Sequence, residues 1–255
     1  MRVVIKVGTS TLAYATGKLN IRLTSELCKV ISDLKNAGNE VVLVSSGAIG
    51  MGVGKLGLAK KPTDIPTKQA AAAVGQCELM YAYDKLFAEY NHTVAQILLT
   101  GADFLAEDRH ENFNNTLSRL LQLGVLPIIN ENDTIATEEI KVGDNDTLSA
   151  LVAVSVKADI LVILSDVDGL YSADPKTDES AKLIPLVKGI TEETFDLAGG
   201  AGSALGTGGM VTKLKAGQIC NGAGVDMGIA NGENPDILYD IVDGKAGKYT
   251  RFSKA

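Results

Sequence analysis

The chain has 255 residues, 45% of them apolar and 22% charged, with a formal net charge of −7 and an isoelectric point near 4.9. That profile fits an ordinary soluble globule, excludes extended disorder, and gives a global field that repels nucleic acid and anionic membrane surfaces. No stretch approaches the ~20 apolar residues of a membrane span, and the N-terminus runs straight into a strand pattern rather than a cleavable leader, so the cytoplasm is the expected location.

The first element is a strand, Val3 to Val7, whose apolar run is interrupted by Lys6 and which opens on Gly8-Thr9-Ser10. Leu23 to Asn36 follows with helical periodicity and stops at Ala37-Gly38, before the strand Val41 to Val44 and the segment Ser45-Ser46-Gly47-Ala48-Ile49-Gly50. Lys55 to Lys68, with Gly57, Pro62 and Pro66, reads as an exposed loop. Helix Lys68 to Tyr90, strand Val94 to Leu99 and helix Asn112 to Leu123 come next, and Gly124 ends the last of these. The strand Val125 to Ile129 then leads into Asn130-Glu131-Asn132-Asp133. Gly143-Asp144-Asn145-Asp146 starts the helix Thr147 to Lys157, with Asp144 as a cap and Asp146 complementing the helix dipole. Strand Ile160 to Leu164 opens on Ser165-Asp166-Val167-Asp168-Gly169, and Ser172 to Lys188 reads as a second exposed loop, either loop being able to act as a lid. The glycine-rich turn Gly206-Thr207-Gly208-Gly209 enters the helix Met210 to Cys220, which carries Lys213, and the last strand is Val225 to Ala230.

Nearly continuous Val/Ile/Leu strands alternating with helices predict an α/β fold: a three-layer sandwich with a mainly parallel central sheet covered by helices on both faces. Ligands of such sheets bind outside the carboxyl ends of the strands, and here those ends carry glycines, hydroxyls, amides and carboxylates. Gly8 and Gly47 would let backbone N–H groups approach a ligand closely. A lysine inside a strand covered on both faces would cost several kcal/mol if desolvated and unpaired, so Lys6 is expected to meet a carboxylate or a phosphate. The turn before Lys213 supplies free N–H groups, a helix start and a fixed cation, which together suit a polyphosphate. Asn145 and Asp146 are expected to face the same cleft as the two lysines.

Other patterns carry less. Gly52-Val53-Gly54-Lys55-Leu56-Gly57 matches a dinucleotide fingerprint in letters, but it lies well past its strand and no acidic ribose ligand follows at the right spacing. A phosphate loop of the GxxxxGK[ST] type is absent. The cysteines Cys28, Cys77 and Cys220 are widely spaced, without a CxxC pair or nearby histidine, and are expected to be buried small hydrophobes. His92 and His110 have no metal or triad spacing and are expected to be surface or structural.

Six segments together resemble the amino-acid kinase family over essentially the whole chain: Ile5 to Ser10, Val44 to Ile49, Ile129 to Asp133, Gly143 to Ser149, Asp166 to Tyr171 and Gly206 to Lys213. The pairing of Asn-Glu-Asn-Asp with Gly-Asp-Asn-Asp is similar to the branch that phosphorylates the side-chain carboxylate of free L-glutamate in proline biosynthesis. The resemblance implies ATP and Mg²⁺ as cosubstrates, with the metal held mainly by ATP phosphates rather than by protein ligands. Lys6, Lys213 and Asp146 are then catalytic, the lysines contacting the transferring phosphate and Asp146 positioning them. Ser46, Gly47, Ala48, Asp133 and Asn145 would hold glutamate. Lys6, Gly8, Ser165, Asp166, Thr207, Gly208, Gly209, Met210, Val211, Thr212 and Lys213 would bind ATP. Residues 1–255 would form a single kinase domain, mainly acceptor-binding in its N-terminal part and mainly ATP-binding in its C-terminal part, without the PUA domain that many members carry. A homo-oligomer, a dimer or tetramer, and inhibition by proline are further implications.

A glutamate side chain, with a reference pKa of about 4.3, is already an anionic nucleophile at neutral pH, so no general base is required. Charge neutralisation and alignment carry the chemistry instead. Asp133 is the natural partner for the acceptor's α-ammonium, which would also reject an N-acetylated analogue. Other acid kinases of the same fold, acting on N-acetylglutamate, aspartate or a nucleotide monophosphate, and a catalytically silent amino-acid sensor are the alternative readings.

Overall fold

The structure is a computed structural model that describes residues 1–14, 16–136, 145–175, 177–198 and 209–254. In chain order the elements are β1 (Arg2–Val7), α1 (Thr9–Leu12), α2 (Ile21–Asn36), β2 (Glu40–Ser45), α3 (Ala48–Lys55), α4 (Ile65–Ala88), β3 (Val94–Leu99), α5 (Gly101–Leu105), α6 (Glu107–Gln122), β4 (Leu126–Glu131), α7 (Asn145–Ser155), β5 (Ile160–Ser165), β6 (Leu186–Lys188), α8 (Glu192–Leu197), α9 (Met210–Gly222), β7 (Asp226–Asn231), α10 (Ile237–Val242) and β8 (Tyr249–Ser253). The strands form one eight-stranded sheet in the order β3-β4-β2-β1-β5-β7-β8-β6. Its first six strands are parallel, and β8 runs antiparallel to β7 and parallel to β6. The expected mainly parallel sandwich is what the chain forms.

Alternation along β1 builds both halves of the core. Val3, Ile5 and Val7 join Leu27 and Ile31 of α2, Leu79 and Phe87 of α4 and Leu238 of α10 on one face. Val4 joins Leu117 of α6, Leu148 and Val152 of α7 and Leu214 of α9 on the other. Successive strand residues point to opposite faces, so Lys6 shares the face of Val4 and points toward α7 and α9. It lies in the sheet's centre, opposite Val44 of β2 on one side and Ile163 of β5 on the other.

Several expectations need correction. Pro66 and Lys68 belong to helix α4 rather than to a loop: Asp64 caps the helix by accepting from Thr67 N at 2.9 Å, and proline is tolerated in the first turn, where its missing N–H has no intrahelical partner to lose. The segment Ser172 to Lys188 holds strand β6 and an isolated bridge between Tyr171 and Leu183, too short for a periodic signal. Cys28 and Cys220 are buried, but Cys77 is exposed on α4.

Two of the three glycines of the dinucleotide-like stretch, Gly52 and Gly54, have a packing role. A Cβ on Gly52 of α3 would stand 1.8 Å from Ala71 O of α4, and one on Gly75 of α4 would stand 1.7 Å from Ala48 O of α3. Glycine at these positions lets the two helix backbones touch. The Asp166 to Tyr171 stretch is also fastened structurally: a Cβ on Gly169 would meet Thr250 Oγ1 at 2.3 Å, and Asp168 accepts from both Tyr171 OH and Asn231 Nδ2.

Candidate active site

The loops at the carboxyl ends of β1, β2, β4 and β5 and the starts of α7 and α9 bring the candidate residues to one end of the sheet. At the centre Asp146, in the first turn of α7, lies between two ammonium groups: Lys6 Nζ is 2.6 Å from its Oδ1 and Lys213 Nζ is 3.2 Å from its Oδ2. Lys6, Asp146 and Lys213 are 8%, 3% and 7% exposed, so this is a desolvated triad carrying one net positive charge. Thr212 Oγ1 donates to the same Oδ2 at 2.9 Å and lies 3.0 Å from Gly209 O, while Lys213 Nζ reaches Gly209 O at 3.5 Å. Ser149 Oγ donates to Asp146 O at 2.7 Å and stiffens the turn.

Burial pushes the Asp146 carboxyl upward, but the Lys6 and Lys213 ammonium groups and the hydrogen bonds from Lys6 and Thr212 outweigh it and hold the group below the ordinary carboxylate value. Asp146 is therefore an anion at any working pH. A carboxylate placed between two lysines fixes both cations and leaves a unit of positive charge for an anionic ligand.

Asn145 lies about 100° around the helix from Asp146 and so faces a different wall. Its Nδ2 donates to Ser46 Oγ at 2.8 Å, to Ser45 O at 3.0 Å and to Asn130 Oδ1 at 3.0 Å, pinning the start of α7 to the ends of β2 and β4. Beside it opens a cleft of roughly 880 Å³ whose walls include Ser46, Gly47, Ala48, Asn130, Glu131, Asp133 and Asn145. All five residues expected to hold the acceptor thus meet in one cavity. Gly47 caps α3 with φ of +106°, a left-handed conformation that a side chain would strain, and it turns the start of α3 toward the cleft. Gly8 is different: its φ is −82°, and an added Cβ would make only ordinary contact, 3.8 Å, with Lys6 Nζ.

Thr9, from the strand-end segment Gly8-Thr9-Ser10, also lines the cleft, together with Tyr14, Lys60 and Lys61, which sequence reasoning did not single out. The last three sit on irregular segments with no periodic or motif signal; a pair of lysines in a chain of net charge −7 was the available clue. On the other side of the triad, Ser165 Oγ donates to Asp166 Oδ1 at 3.0 Å at the end of β5, and Asp166 itself is exposed. Gly209 precedes α9, and none of the described residues comes within 4 Å of where a Cβ would be. Met210 and Val211 occupy the helix's first turn, and Thr212 there spends its hydroxyl on Asp146 and Gly209. Gly143, Asp144, Gly206, Thr207 and Gly208 lie outside the described residues. His92 and His110 stand apart from this site, bonded to Ser32 O and Ser155 Oγ respectively.

Among the described residues no group of three or more His, Cys, Asp or Glu side chains is placed to hold a metal ion. None of the described helices is long and apolar enough to cross a membrane.

The sequence model of the Amino acid kinase family matches residues 1–231. The chain is 56% identical over 249 residues to a glutamate 5-kinase of Clostridium perfringens, covering 96% of this chain and 92% of that protein. It is 53% identical to the glutamate 5-kinase of Caldanaerobacter subterraneus over 96% of this chain and 66% of that longer protein. Among solved structures, a carbamate kinase from Giardia lamblia bound to AMP-PNP superposes with a TM-score of 0.70 at 18% identity, covering 100% of this chain and 98% of the other. A UMP kinase from Ureaplasma parvum gives 0.67 at 18% identity over 99% and 98% of the two chains. These last two likenesses establish the fold.

Proposed function

The chain belongs to the amino acid kinase family, and from that premise we propose that it transfers the γ-phosphoryl group of ATP to the side-chain carboxylate of L-glutamate, giving glutamate 5-phosphate and ADP. One observation carries the chemistry: two buried lysines held by one buried carboxylate, next to a polar cleft. The acceptor carboxylate is ionised at neutral pH and attacks the γ-phosphorus directly, while the bond to the bridging oxygen of ADP breaks. Two anions must approach each other, and Lys6 and Lys213 offset that repulsion and the charge that gathers on the departing phosphate. Asp146 keeps them in place and is a poor proton acceptor, because the two ammonium groups hold its carboxyl below the ordinary carboxylate value.

The donor set fits an anionic phosphate: Gly209, the first turn of α9 and Lys213 lie together beside Asp146. Mg²⁺ would travel mainly on ATP's phosphate oxygens, consistent with its preference for water and phosphate ligands, and supplies charge neutralisation there. In this reading Asp133 takes the α-ammonium of glutamate, Ser46, Gly47, Ala48 and Asn145 complete the acceptor site, and Ser165, Asp166 and residues 207–213 bind ATP. Residues 1–255 then act as one kinase domain with its acceptor half first and its ATP half second. The same reading assigns the chain to proline biosynthesis in the cytoplasm, as a homo-oligomer without nucleic-acid or membrane partners and open to inhibition by proline.

The test is ADP release measured in parallel with L-glutamate, N-acetylglutamate, L-aspartate and UMP. Turnover that depends on L-glutamate alone is expected. A preference for any of the other three would replace the acceptor, and no turnover with all four would favour a silent sensor.

A further inference from the structure

Behind the acceptor cleft, and not lining it, a buried amide from helix α4 is bonded to the cleft's own wall. Asn130, at the end of β4 and 3% exposed, has both ends of its amide committed. Its Oδ1 accepts from Glu131 N at 2.9 Å and from Asn145 Nδ2 at 3.0 Å, and its Nδ2 donates to Gln76 Oε1 at 3.0 Å. Gln76 is itself 8% exposed, and its Nε2 donates to Gln96 Oε1 at 3.3 Å on the edge strand β3. The close packing of α3 on α4 at the neighbouring Gly75 fixes the height of α4 over the sheet, and with it the reach of Gln76 to β4.

Directionality along this chain is what matters. Asn145 Nδ2 is drawn toward Ser45, Ser46 and Asn130, so the oxygen of the same amide is turned the other way. What Asn145 offers the cleft is therefore an acceptor, the complement of an ammonium or hydroxyl on a ligand. Asn130 shares in setting that orientation with Ser45 and Ser46, and its own amide is held at the oxygen by Glu131 N and at the buried nitrogen by Gln76 alone among the described residues. Without Gln76 the nitrogen would be left unsatisfied, and the side chain would relieve this by rotating toward the water in the cleft and leaving Asn145.

We propose that Gln76 is a positioning residue for acceptor recognition, holding the Asn130 amide and through it the Asn145 amide in the orientation the acceptor reads. This role rests on the acceptor site assigned above, and it adds a residue of α4 that does not line the cleft. Gln96, at the exposed end, can turn its own amide and is not required.

The experiment compares the parent with Q76M, Q76E and Q96A by steady-state kinetics in both substrates and by thermal melting. Methionine keeps the length and volume of glutamine and removes its hydrogen bonds. Glutamate keeps the acceptor for Asn130, and Gln96 can turn its nitrogen toward it. The expected result for Q76M is a rise of about 10-fold in KM for the acceptor, the scale of one buried hydrogen bond, with kcat and the KM for ATP within about twofold of the parent. Q76E should recover most of the acceptor affinity, and Q96A should behave like the parent. An unchanged acceptor KM in Q76M overturns the inference. So does a parallel rise in both KM values that Q76E does not reverse, which would mark Gln76 as general packing. Should Q76M not accumulate as folded protein, Q76N, which withdraws the amide from Asn130, carries the same comparison. If the parent prefers a different acid, the acceptor reading fails while the Gln76 comparison still runs with that acid.

Discussion

Replacing Asp146 by asparagine keeps the size of the side chain and an oxygen for Thr212 but removes the charge that holds two lysines together. With an effective dielectric near 20, the Coulomb attractions at 2.6 Å and 3.2 Å are about 6 and about 5 kcal/mol. Desolvation of the three groups offsets much of that, so breaking the triad should cost about 3 to 5 kcal/mol, as found when one partner is removed from a buried ion pair. For a chain of this length that lowers the melting temperature by on the order of 10 °C. The uncompensated Lys6 and Lys213 should then recruit anions, so sulfate or phosphate should raise the melting temperature of D146N by several degrees more than that of the parent. Turnover should fall by about 100-fold or more as the lysines lose their fixed positions. The sign of the pH dependence follows from the depressed carboxyl: its stabilisation is fully present above the ordinary carboxylate value and is lost only as pH falls through the lower folded one. The deficit of D146N should therefore be constant from pH 5 to 8 and narrow only below about pH 4. Calorimetric melting with and without sulfate, together with the ADP assay, measures all of this. A variant with the parent's melting temperature, no added response to anions and near-parent turnover would refute the charge-coupled triad.

Four other outcomes are expected. Lys213→Ala should lower kcat by at least about 100-fold, the scale of one lost electrostatic contact to the transition state, as read in the ADP assay at saturating substrates. Asp133→Ala should raise the KM for glutamate about 10-fold or more and leave ATP binding little changed, and an unchanged glutamate affinity would remove Asp133 from the acceptor site. Gly75→Ala should destabilise the fold by about 2 kcal/mol or more, because the new methyl would fall 1.7 Å from a backbone carbonyl, whereas Gly38→Ala, with open space but φ of +90°, should cost only about 1 kcal/mol; denaturant midpoints compare them. A thiol reagent at neutral pH should modify Cys77 rapidly and spare Cys28 and Cys220, since burial pushes the Cys28 thiol well up and the Cys220 thiol up to about 12, which mass mapping of the labelled chain would show.

Much of the fold was legible because its central strands are continuous apolar runs, and burial on both faces leaves such strands little choice of composition. Strand β1 and the approach of its lysine to a carboxylate followed from a single rule, that a desolvated ammonium must be paired. The antiparallel margin was not legible: β6 has three residues and β8 has five, too few for periodicity to separate them from loop. Gly52 of α3 looks like part of a ligand loop in one dimension and is a helix-to-helix contact in three, since the string GxGxxG does not say which backbone it lets approach. Gln76 was invisible for a related reason. A glutamine in an alanine-rich helix is an ordinary helix former, and its importance arises only from the side chain of Asn130 across the layer.

Charge and topology converge on one point. Lys6 comes from the central strand, Asp146 from the helix that carries the chain from β4 across β2 and β1 to β5, and Lys213 from the helix between β6 and β7. The chain order reverses direction around β1, with β2 on one side and β5 on the other, and crevices at such reversals are where open parallel sheets bind ligands. Asp146 is thus the anion through which the first half of the sheet and the helix Met210–Gly222 share one electrostatic arrangement, fixed before any substrate arrives. In the proposed transfer, preorganisation of this kind would remove the reorganisation that free lysines need as charge moves. The carboxylate also has an electrostatic reason to sit between the lysines: without it, two buried ammonium groups side by side would repel each other.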